Sequence, residues 1–412
     1  MENCFLFILK FFSSNQDVFE IQKRLRQSGF FSSVEFFPFL SRKDELVFLL
    51  KSKNRQFLNE LKKGCFFGFR EKIIKNGVER CCIISLLEGD DVQGVFTKYC
   101  FLFQKELIKF YFFTFLTSQE IEKRYENYFL LKSKVKQALK RYKENLVFYI
   151  QPIFEINESS KKTVAFEVLS RLRDVETGEL LYPSQFFVVL EREPELFLSF
   201  DECVFLKAFD YFKDFEGKVI HLNFFLSFLI DAWDFLNFFA DKIRAKFAFE
   251  IVEKEKEINF LFNNRINFLF NNRAVSVLEK LRRYYLIFLD DFGDGINSLP
   301  IFFSFSVDGV KVSRNLFFQV KDLFQKGKNK EIVLRKFFDM CSSFKEEQLI
   351  FVVEGIETQE EFEFSQKYLK PLLFQGFYFC RPYPLEFSVE SKIFDKKEEE
   401  KNEKKVVKAG NV

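Results

Sequence analysis

The sequence of 412 residues contains a single histidine, His221. This scarcity excludes several kinds of catalytic centre. Zinc sites built on several histidines, HEXXH proteases and metal-dependent phosphohydrolases of the multi-histidine type each need at least two imidazoles. A Ser-His-Asp hydrolase would have to use His221 as its base. We therefore expect any catalysis by this chain to depend on carboxylates, lysine and metal ions.

Paired cysteines are also missing, because none of the eight cysteines forms a CxxC motif. Most of them stand in apolar surroundings, which favours reduced thiols in a cytosolic protein over a disulfide framework or a zinc ribbon. No apolar run reaches the ~18 residues of a membrane span. The N-terminal CFLFILKFF is too short to cross a bilayer and has no basic stretch before it. We therefore expect a soluble cytoplasmic protein without a membrane span.

A large excess of one charge is absent too, since the sequence has 63 Lys and Arg residues and 60 Asp and Glu residues. The resulting net charge of +3 is too small to predict the strongly basic surface that a general nucleic-acid binder needs. The composition therefore predicts no nucleic-acid polymer as a partner. Phenylalanine, in contrast, is abundant, with 65 residues spread through every segment. We interpret this excess as core packing material rather than as an aromatic binding surface.

Composition divides the chain into four regions. Residues 1–117 alternate short apolar runs with charged stretches and predict a smaller α/β domain. Residues 118–146 contain neither Gly nor Pro, and their apolar side chains recur at heptad-like spacing. This pattern predicts a helical linker that either packs on its own domain or pairs in a homodimer. Residues 147–390 predict a large α/β domain, and the charge run in 391–412 predicts a disordered tail.

Short apolar, strand-like runs in the third region each end at a polar or charged residue. In chain order, these end residues are Glu167, Asn223, Glu250, the pair Asp290 and Asp291, Lys311, Glu354 and Gln375. The stretches between the runs are long enough for helices, and strands that alternate with helices predict a parallel α/β fold. About eight such strands predict a closed barrel, in which the carboxyl ends of the strands converge on one face.

This convergence would gather at least five carboxylates around one mouth of the barrel. Without a partner they would repel one another, whereas divalent cations would neutralise them. Oxygen ligands suit Mg²⁺ or Mn²⁺, and two such ions a few ångström apart are one solution for phosphoester hydrolysis. The plain alternative is that each carboxylate caps the next helix or pairs with a nearby lysine. A succession of seven such strand ends favours the metal site.

The motif FEVLSRL at 166–172 resembles that of the EAL domain, the family of cyclic di-GMP phosphodiesterases, with Val168 where Ala is usual. The resemblance continues in order over about 240 residues, through QPI, LN, FEIVE, DDFGDG, VDGVKVS, VEGIET and QGFYFCRP. It implies a modified (β/α)8 TIM-type barrel, preceded here by the smaller α/β domain. It also implies an enzyme that opens one phosphodiester of cyclic di-GMP to give linear pGpG, with two Mg²⁺ or Mn²⁺ ions as cofactors.

The resemblance further implies a role for each motif residue. The family's metal ligands match Glu167, Asn223, Glu250 and Asp290, with Asp291 beside them for the second ion. Its catalytic residues match Glu354, Lys311 and Glu253. The resemblance implies that Glu354 is a metal-site carboxylate, sometimes assigned as general base, and that Lys311 holds or helps to activate the attacking water. It implies that Glu253 steadies the DDFG loop. Substrate contacts are expected at Gln151, Arg171 and Gln375.

Three departures from the family pattern bear on activity. Ser313 stands where an Asp that supports Lys311 is usual, and Asp294 adds a charge beside the metal ligands. A tandem copy of INFLFNNR, at 258–265 and 266–273, lengthens the segment before the DDFGDG motif. None of these departures removes a ligand. We therefore expect an active enzyme, with a cyclic di-GMP receptor or a protein-interaction module as the alternative.

The N-terminal region offers a weaker resemblance. FLSRKDELVFLL at 39–50 resembles the hairpin of a GGDEF domain, the cyclase partner of many EAL domains, and IISLLEGDD at 83–91 a later strand. Arg42 and Lys43 replace the Gly-Gly pair, and no Asp stands near FLFILKFF where the cyclase needs its metal. The resemblance implies a shortened domain that cannot make cyclic di-GMP. An unrelated α/β regulatory domain is an equal alternative.

Overall fold

The computed structural model describes residues 3–11, 35–42, 45–52, 78–86, 91–105, 107, 113–157, 160–252, 272–293, 302, 306–326, 349–369 and 373–386. Contacts divide the chain into two compact units, Met1–Ser133 and Lys134–Val412. This division falls within the predicted linker. The features of the sequence that lie outside the described residues are Glu253, Asp294, all but the last two residues of the INFLFNNR repeat, and the tail 391–412.

The first unit contains a five-stranded sheet in the order β2-β3-β1-β4-β5. Its strands are β1 (Asn3–Phe11), β2 (Glu35–Arg42), β3 (Glu45–Ser52), β4 (Val78–Leu86) and β5 (Phe113–Thr117). β4 and β5 are parallel, and helix α1 (Val92–Gln104) lies between them in the chain, as a parallel pair requires a crossover. β2 and β3 pair antiparallel and contain the described residues of the segment 39–50. The likeness of this region to a GGDEF domain stays a prediction.

Helix α2 (Ser118–Lys140) occupies most of the predicted linker. It begins with a capping box, in which the Glu120 amide donates to Thr117 Oγ1 and the Thr117 amide donates to Glu120 Oε2. Four side chains of its apolar stripe are almost completely buried, namely Ile121, Tyr128, Val135 and Leu139. Burial within the chain favours a helix that packs on its own protein. A homodimer stays a prediction.

Eight strands of the second unit close into a barrel. They are β6 (Leu146–Ile156), β7 (Lys161–Arg173), β9 (Val219–Phe225), β10 (Lys246–Val252), β11 (Leu286–Phe292), β12 (Gly309–Val312), β13 (Ile350–Val353) and β14 (Leu373–Phe374). Neighbours are parallel from β7 through β14, whereas β6 closes the ring antiparallel to both β7 and β14. Two short strands, β8 (Leu180–Leu181) and β15 (Tyr383–Pro384), pair antiparallel with β7 and β6, respectively. The predicted modified (β/α)8 barrel is confirmed.

Helices separate most of the barrel strands. They are α4 (Pro183–Leu190), α5 (Pro194–Phe212), α6 (Leu226–Asp231), α7 (Trp233–Ala240), α8 (Asn272–Leu281), α9 (Arg314–Lys326) and α10 (Gln359–Phe364), which continues as a π-helical turn, Ser365–Leu369, while the short helix α3 (Tyr142–Asn145) precedes the first barrel strand. Both α4 and α5 start at proline, whose fixed φ suits the first helical position. Within the described ranges, every helix is too short or too polar to traverse a lipid bilayer.

Phenylalanine fills the space between the barrel and its helices. The largest fully buried side chains there include Phe186, Phe205, Phe224, Phe247, Phe249 and Phe317, whereas Phe288 lies inside the barrel against His221. Phe205 of α5, for example, meets Phe247 and Phe249 of β10 edge to face, an arrangement that adds to the free energy of area burial. This packing fixes the strands, and with them the positions of the side chains at their carboxyl ends.

Candidate active site

Polar side chains from neighbouring barrel strands meet at the carboxyl ends of these strands. Asn223 and Glu250 are paired in the register of β9 and β10, and Asp290 lies two residues before the end of β11. Glu354 and Gln375 directly follow β13 and β14. All of these positions agree with the predicted strand ends.

Glu167 is the exception, because β7 does not end there but runs on to Arg173. The additional length has a structural reason. β6 pairs with β7 along its whole length, and β8 pairs with its last two residues. Glu167 therefore lies in mid-strand, and β7 extends past it.

Lys311, on β12, is at the centre of the cluster and is only 1% exposed. Its Nζ lies 3.4 Å from Glu167 Oε2, 2.8 Å from Glu250 Oε1 and 3.2 Å from Asp290 Oδ1, and it also contacts Glu354 Oε1. Burial alone would lower the pKa of Lys311, but the surrounding carboxylates hold that pKa well above its usual value. The ammonium group therefore keeps its charge.

One lysine does not balance four carboxylates. Burial, together with the neighbouring carboxylates, raises the pKa of Glu250 and that of Glu354 well above their usual range. Burial opposes ionisation of Glu167 as well, but Lys311 and two amide hydrogen bonds lower its pKa. Glu250 Oε2 is buried and has no hydrogen-bond partner among the described residues. The raised pKa values mean that Glu250 and Glu354 resist ionisation unless further positive charge lies near them, and a divalent cation would supply that charge.

A second geometric feature fits a cation. Asp290, Asp291 and Glu354 offer carboxylate oxygens that all lie within 4.8 Å of one another. Consecutive residues of a regular strand point to opposite faces. Here the pairing of β11 with β12 is irregular after Leu289, and Asp291 has a φ of 47°, in the left-handed region. This local distortion lets both aspartates reach one group, and such an all-oxygen donor set fits Mg²⁺ or Mn²⁺.

Three amide side chains surround Glu167. Asn223 Nδ2 donates to Glu167 Oε1 over 2.9 Å, and Gln375 Nε2 donates to Glu167 Oε2 over 2.5 Å and to Gln151 Oε1 over 3.1 Å. Gln151 Nε2 in turn donates to the carbonyl oxygen of Cys380. The structure therefore brings two of the three predicted substrate contacts, Gln151 and Gln375, next to a predicted metal ligand.

His221 lies on the interior face of β9, two residues before Asn223, as strand alternation predicts. Its Nδ1 is 2.8 Å from Glu250 Oε1, and its ring packs edge-on against Phe288. Burial, aided by the charge of Lys311, lowers the pKa of His221 to about 3. A neutral imidazole therefore contacts the predicted ligand Glu250 rather than Asn223.

Ser313, which replaces the usual aspartate, has a local role. Its Oγ accepts a hydrogen bond from the Leu316 amide, so that it caps helix α9 as an aspartate would. The ammonium of Lys311 is held by the four carboxylates.

Two further features of the site were not predicted from the sequence. Arg314 donates from Nη1 to the carbonyl oxygen of Gly355 over 2.7 Å and pairs with Glu357, so that it tethers the loop that follows Glu354. Arg171, the third predicted substrate contact, is farther along β7 than Glu167 and lies over the rings of two tyrosines. Both features depend on contacts between residues that no local motif links.

Comparison with known proteins adds to this geometry. The EAL domain family model matches residues 133–382. An EAL domain protein from Listeria monocytogenes EGD-e is 23% identical, with a TM-score of 0.46, and the match covers 64% of this chain and 98% of that one. The EAL enzyme Bd1971, in a cGMP-bound form, is 13% identical, with a TM-score of 0.50 and 94% of each chain covered.

A third similar structure is the manganese and cyclic di-GMP complex of BlrP1 from Klebsiella pneumoniae. It is 17% identical, with a TM-score of 0.44, and the match covers 93% of this chain and 97% of that one. Of these three structures, Bd1971 reaches a TM-score of 0.50, and at 13% identity its likeness bears on the fold alone. The family model, in contrast, matches more than half of the sequence, and the chain therefore belongs to the EAL domain family.

Proposed function

We propose that this protein is a divalent-metal-dependent phosphodiesterase that hydrolyses cyclic di-GMP to linear pGpG. The observation that carries the proposal is the enclosure of Lys311 by the carboxylates of Glu167, Glu250, Asp290 and Glu354. Membership of the EAL domain family supports cyclic di-GMP as the substrate. The excess of buried carboxyl groups over the single ammonium of Lys311 supports the need for metal.

The proposed ligands for the cations are Glu167, Asn223, Glu250, Asp290 and Asp291, joined by Glu354. When bound, two Mg²⁺ or Mn²⁺ ions would supply a water of lowered pKa and would neutralise charge on the phosphate oxygens. The protein holds its donors ready before binding, since Asn223 and Gln375 fix both oxygens of Glu167. Preorganised ligands of this kind lose little conformational freedom when a cation binds.

Lys311 supplies the fixed positive charge of the proposed reaction. An ammonium group has three donors and no acceptor, so it can hold an attacking water or a phosphate oxygen while it still contacts a carboxylate. Glu354 contacts this ammonium and is the proposed acceptor of the proton that the water loses. Glu253 keeps its proposed role of steadying the DDFG loop.

The proposed substrate contacts lie along β6, β7 and the segment after β14. Gln151 and Gln375 are hydrogen-bonded to each other and offer amide groups beside Glu167. Arg171 shares a face of β7 with Glu167, since the two residues are four positions apart in an extended strand. A guanidinium group can grip a phosphate with two parallel hydrogen bonds. These three residues would therefore bind the phosphodiester and orient it toward the carboxylate cluster.

A cyclic di-GMP receptor without turnover is the second candidate. It is favoured by the engagement of both oxygens of Glu167 with amide donors, which satisfies that carboxylate without a cation. The additional acidic residue Asp294, three positions after Asp291 in the sequence, points the same way. In this case the barrel would bind the dinucleotide and signal through another surface.

One experiment separates the two candidates. The purified protein is incubated with cyclic di-GMP and either Mg²⁺ or Mn²⁺, and pGpG is followed by anion-exchange chromatography. Product that is absent with Glu167→Gln, a substitution that keeps the size of the side chain, supports the phosphodiesterase. Binding of cyclic di-GMP without product favours the receptor. Absence of both binding and product refutes the proposed function.

A further inference from the structure

Two tyrosine rings hold the guanidinium group of Arg171. Its central carbon is 5.3 Å from the centroid of the Tyr149 ring and 5.3 Å from that of the Tyr182 ring. Both distances are within the ~6 Å reach of a cation–π interaction. The ring of Tyr149 is half-buried, and Tyr182 is 50% exposed.

Strand pairing explains why the two rings flank Arg171 from opposite sides. On one edge of β7, Val147 of β6 is the partner of Arg171. Tyr149 lies two residues after Val147, so it is the diagonal neighbour of Arg171 on the same face of the sheet. On the other edge, Leu181 of β8 is the partner of Leu172. The residue after Leu181 is Tyr182, which this register places level with Arg171.

The guanidinium group is held by the rings and is not neutralised. Its Nη1 donates to the carbonyl oxygen of Ser170 over 2.8 Å, and its buried Nε has no hydrogen-bond partner among the described residues. Among the described residues, no carboxylate forms an ion pair with Arg171. The guanidinium group therefore keeps its positive charge, and it has N–H groups left to donate hydrogen bonds to an anion. A long, flexible side chain without lateral support would lose more conformational entropy on binding such an anion.

We propose that Tyr182 is a positioning residue, whose ring holds the guanidinium plane of Arg171 in the orientation that grips the phosphodiester of the substrate. This inference rests on the proposed function. Tyr182 is well placed for the role because its backbone is fixed: its amide donates to Gln185 Oε1 over 2.8 Å, and Pro183 begins helix α4. Its exposed ring contributes little to the core.

The first test compares two substitutions at this position. Tyr182→Leu keeps an apolar side chain but lacks the ring, and we expect it to raise both the Kd and the KM for cyclic di-GMP about fivefold, with little change in kcat. Tyr182→Phe keeps the ring and should restore wild-type values. Tyr284→Leu is the matched control, because Tyr284 is 45% exposed but precedes β11, at the amino end of that strand. Equal Kd and KM in the wild type and Tyr182→Leu would overturn the proposal, as would a loss of affinity in Tyr182→Phe equal to that in Tyr182→Leu.

A double-mutant cycle tests whether Tyr182 acts through Arg171. Arg171→Lys removes the planar group on which the ring packs. If Tyr182 only positions that group, the double variant should bind cyclic di-GMP no more weakly than Arg171→Lys alone. Additive losses would show that Tyr182 contacts the ligand by itself, which contradicts the proposed role.

The third measurement does not depend on the function of the site. In the ligand-free protein, the NMR signal of the Arg171 Nε–H group is assigned by its loss in Arg171→Lys. We expect Tyr182→Leu to shift this signal downfield, because it removes the ring current, and to increase its mobility. An unchanged signal would refute the positioning role. Failure of the wild type to bind or hydrolyse cyclic di-GMP would instead refute the proposed function.

Discussion

The ammonium nitrogen of Lys311 lies 2.8 Å from Glu250 Oε1, and these side chains are only 1% and 0% exposed. The two residues belong to β12 and β10, which β11 separates in the sheet. Their contact therefore runs across the interior of the barrel. A buried ion pair gains attraction only at the cost of desolvating both charges. The additional carboxylates around Lys311 make this cost larger, which is expected of a binding site rather than of a packed core.

Lys311→Met is predicted to destabilise the metal-free protein by about 3–5 kcal/mol, because it leaves buried carboxylates without their cation. Mn²⁺ or Mg²⁺ should restore more stability to this variant than to the wild type, while hydrolysis is lost. Thermal unfolding with metal and with EDTA measures both effects.

The matched control is Lys207→Met. Lys207 is also buried, but its ammonium donates to the backbone carbonyl oxygens of Lys143 and Leu146. Its replacement should lower stability equally with and without metal. If metal stabilises the wild type and Lys311→Met to the same extent, Lys311 does not compensate the charge of the ligands.

Asp291→Asn is predicted to weaken Mn²⁺ binding about tenfold or more, a loss of the size found when a metal site is perturbed. Asparagine tolerates a positive φ, so the backbone of Asp291, with its φ of 47°, should be kept. Titration calorimetry measures the affinity. Asp234→Asn, a change of an exposed aspartate in helix α7, is the control. Equal Mn²⁺ affinity of Asp291→Asn and the wild type would remove Asp291 from the ligand set.

Much of the fold, and the strand-end positions of most residues of the candidate site, could be predicted from the sequence, because strand ends are local features. The runs that end near Asn223, Glu250 and Asp290 are apolar segments with one polar residue at a fixed place, and parallel strands must bring such ends together. Their convergence is therefore a consequence of topology. The prediction needed no knowledge of side-chain contacts.

The contacts around these residues could not be predicted, because they depend on register and backbone conformation. Tyr182 lies beside Arg171 because β8 pairs with the end of β7. β8 has only two residues, too few to form a periodic pattern in the sequence. The tether from Arg314 to Gly355 spans 41 positions. The positive φ of Asp291 is a conformation that aspartate adopts more readily than most residues, but nothing in the local sequence places it at this aspartate.

Arg314→Ala is predicted to lower kcat about tenfold and to change KM little, because the loop after Glu354 loses its tether while the substrate contacts remain. The loss of stability should stay below about 1 kcal/mol, since the ion pair with Glu357 is more than one-third exposed. Steady-state kinetics and urea unfolding measure the two effects. Lys321→Ala is the control. Lys321 lies on helix α9, as Arg314 does, and its replacement removes an ion pair with Glu360. A kcat unchanged in Arg314→Ala would exclude a role for the tether.

Asp174 predicts a pH dependence of stability away from the site. A hydrogen bond from Lys134, together with one from the Glu176 amide, lowers the pKa of this buried carboxyl group. A depressed folded pKa means that the contribution to stability is complete above the unfolded pKa of ~3.9. It is lost as the pH falls through the lower, folded value.

Asp174→Asn should therefore reduce the free energy of unfolding by about 1.5 kcal/mol at pH 7. The difference from the wild type should stay constant down to about pH 5 and shrink below about pH 4, where the wild-type carboxyl group takes up its proton. Urea unfolding at a series of pH values measures this difference. Asp210→Asn, whose exposed partner Lys143 is 3.9 Å away, should show almost no difference at any pH. A difference for Asp174→Asn that grew as the pH fell would contradict the depressed pKa, because the folded state would then bind its proton more tightly than the unfolded chain.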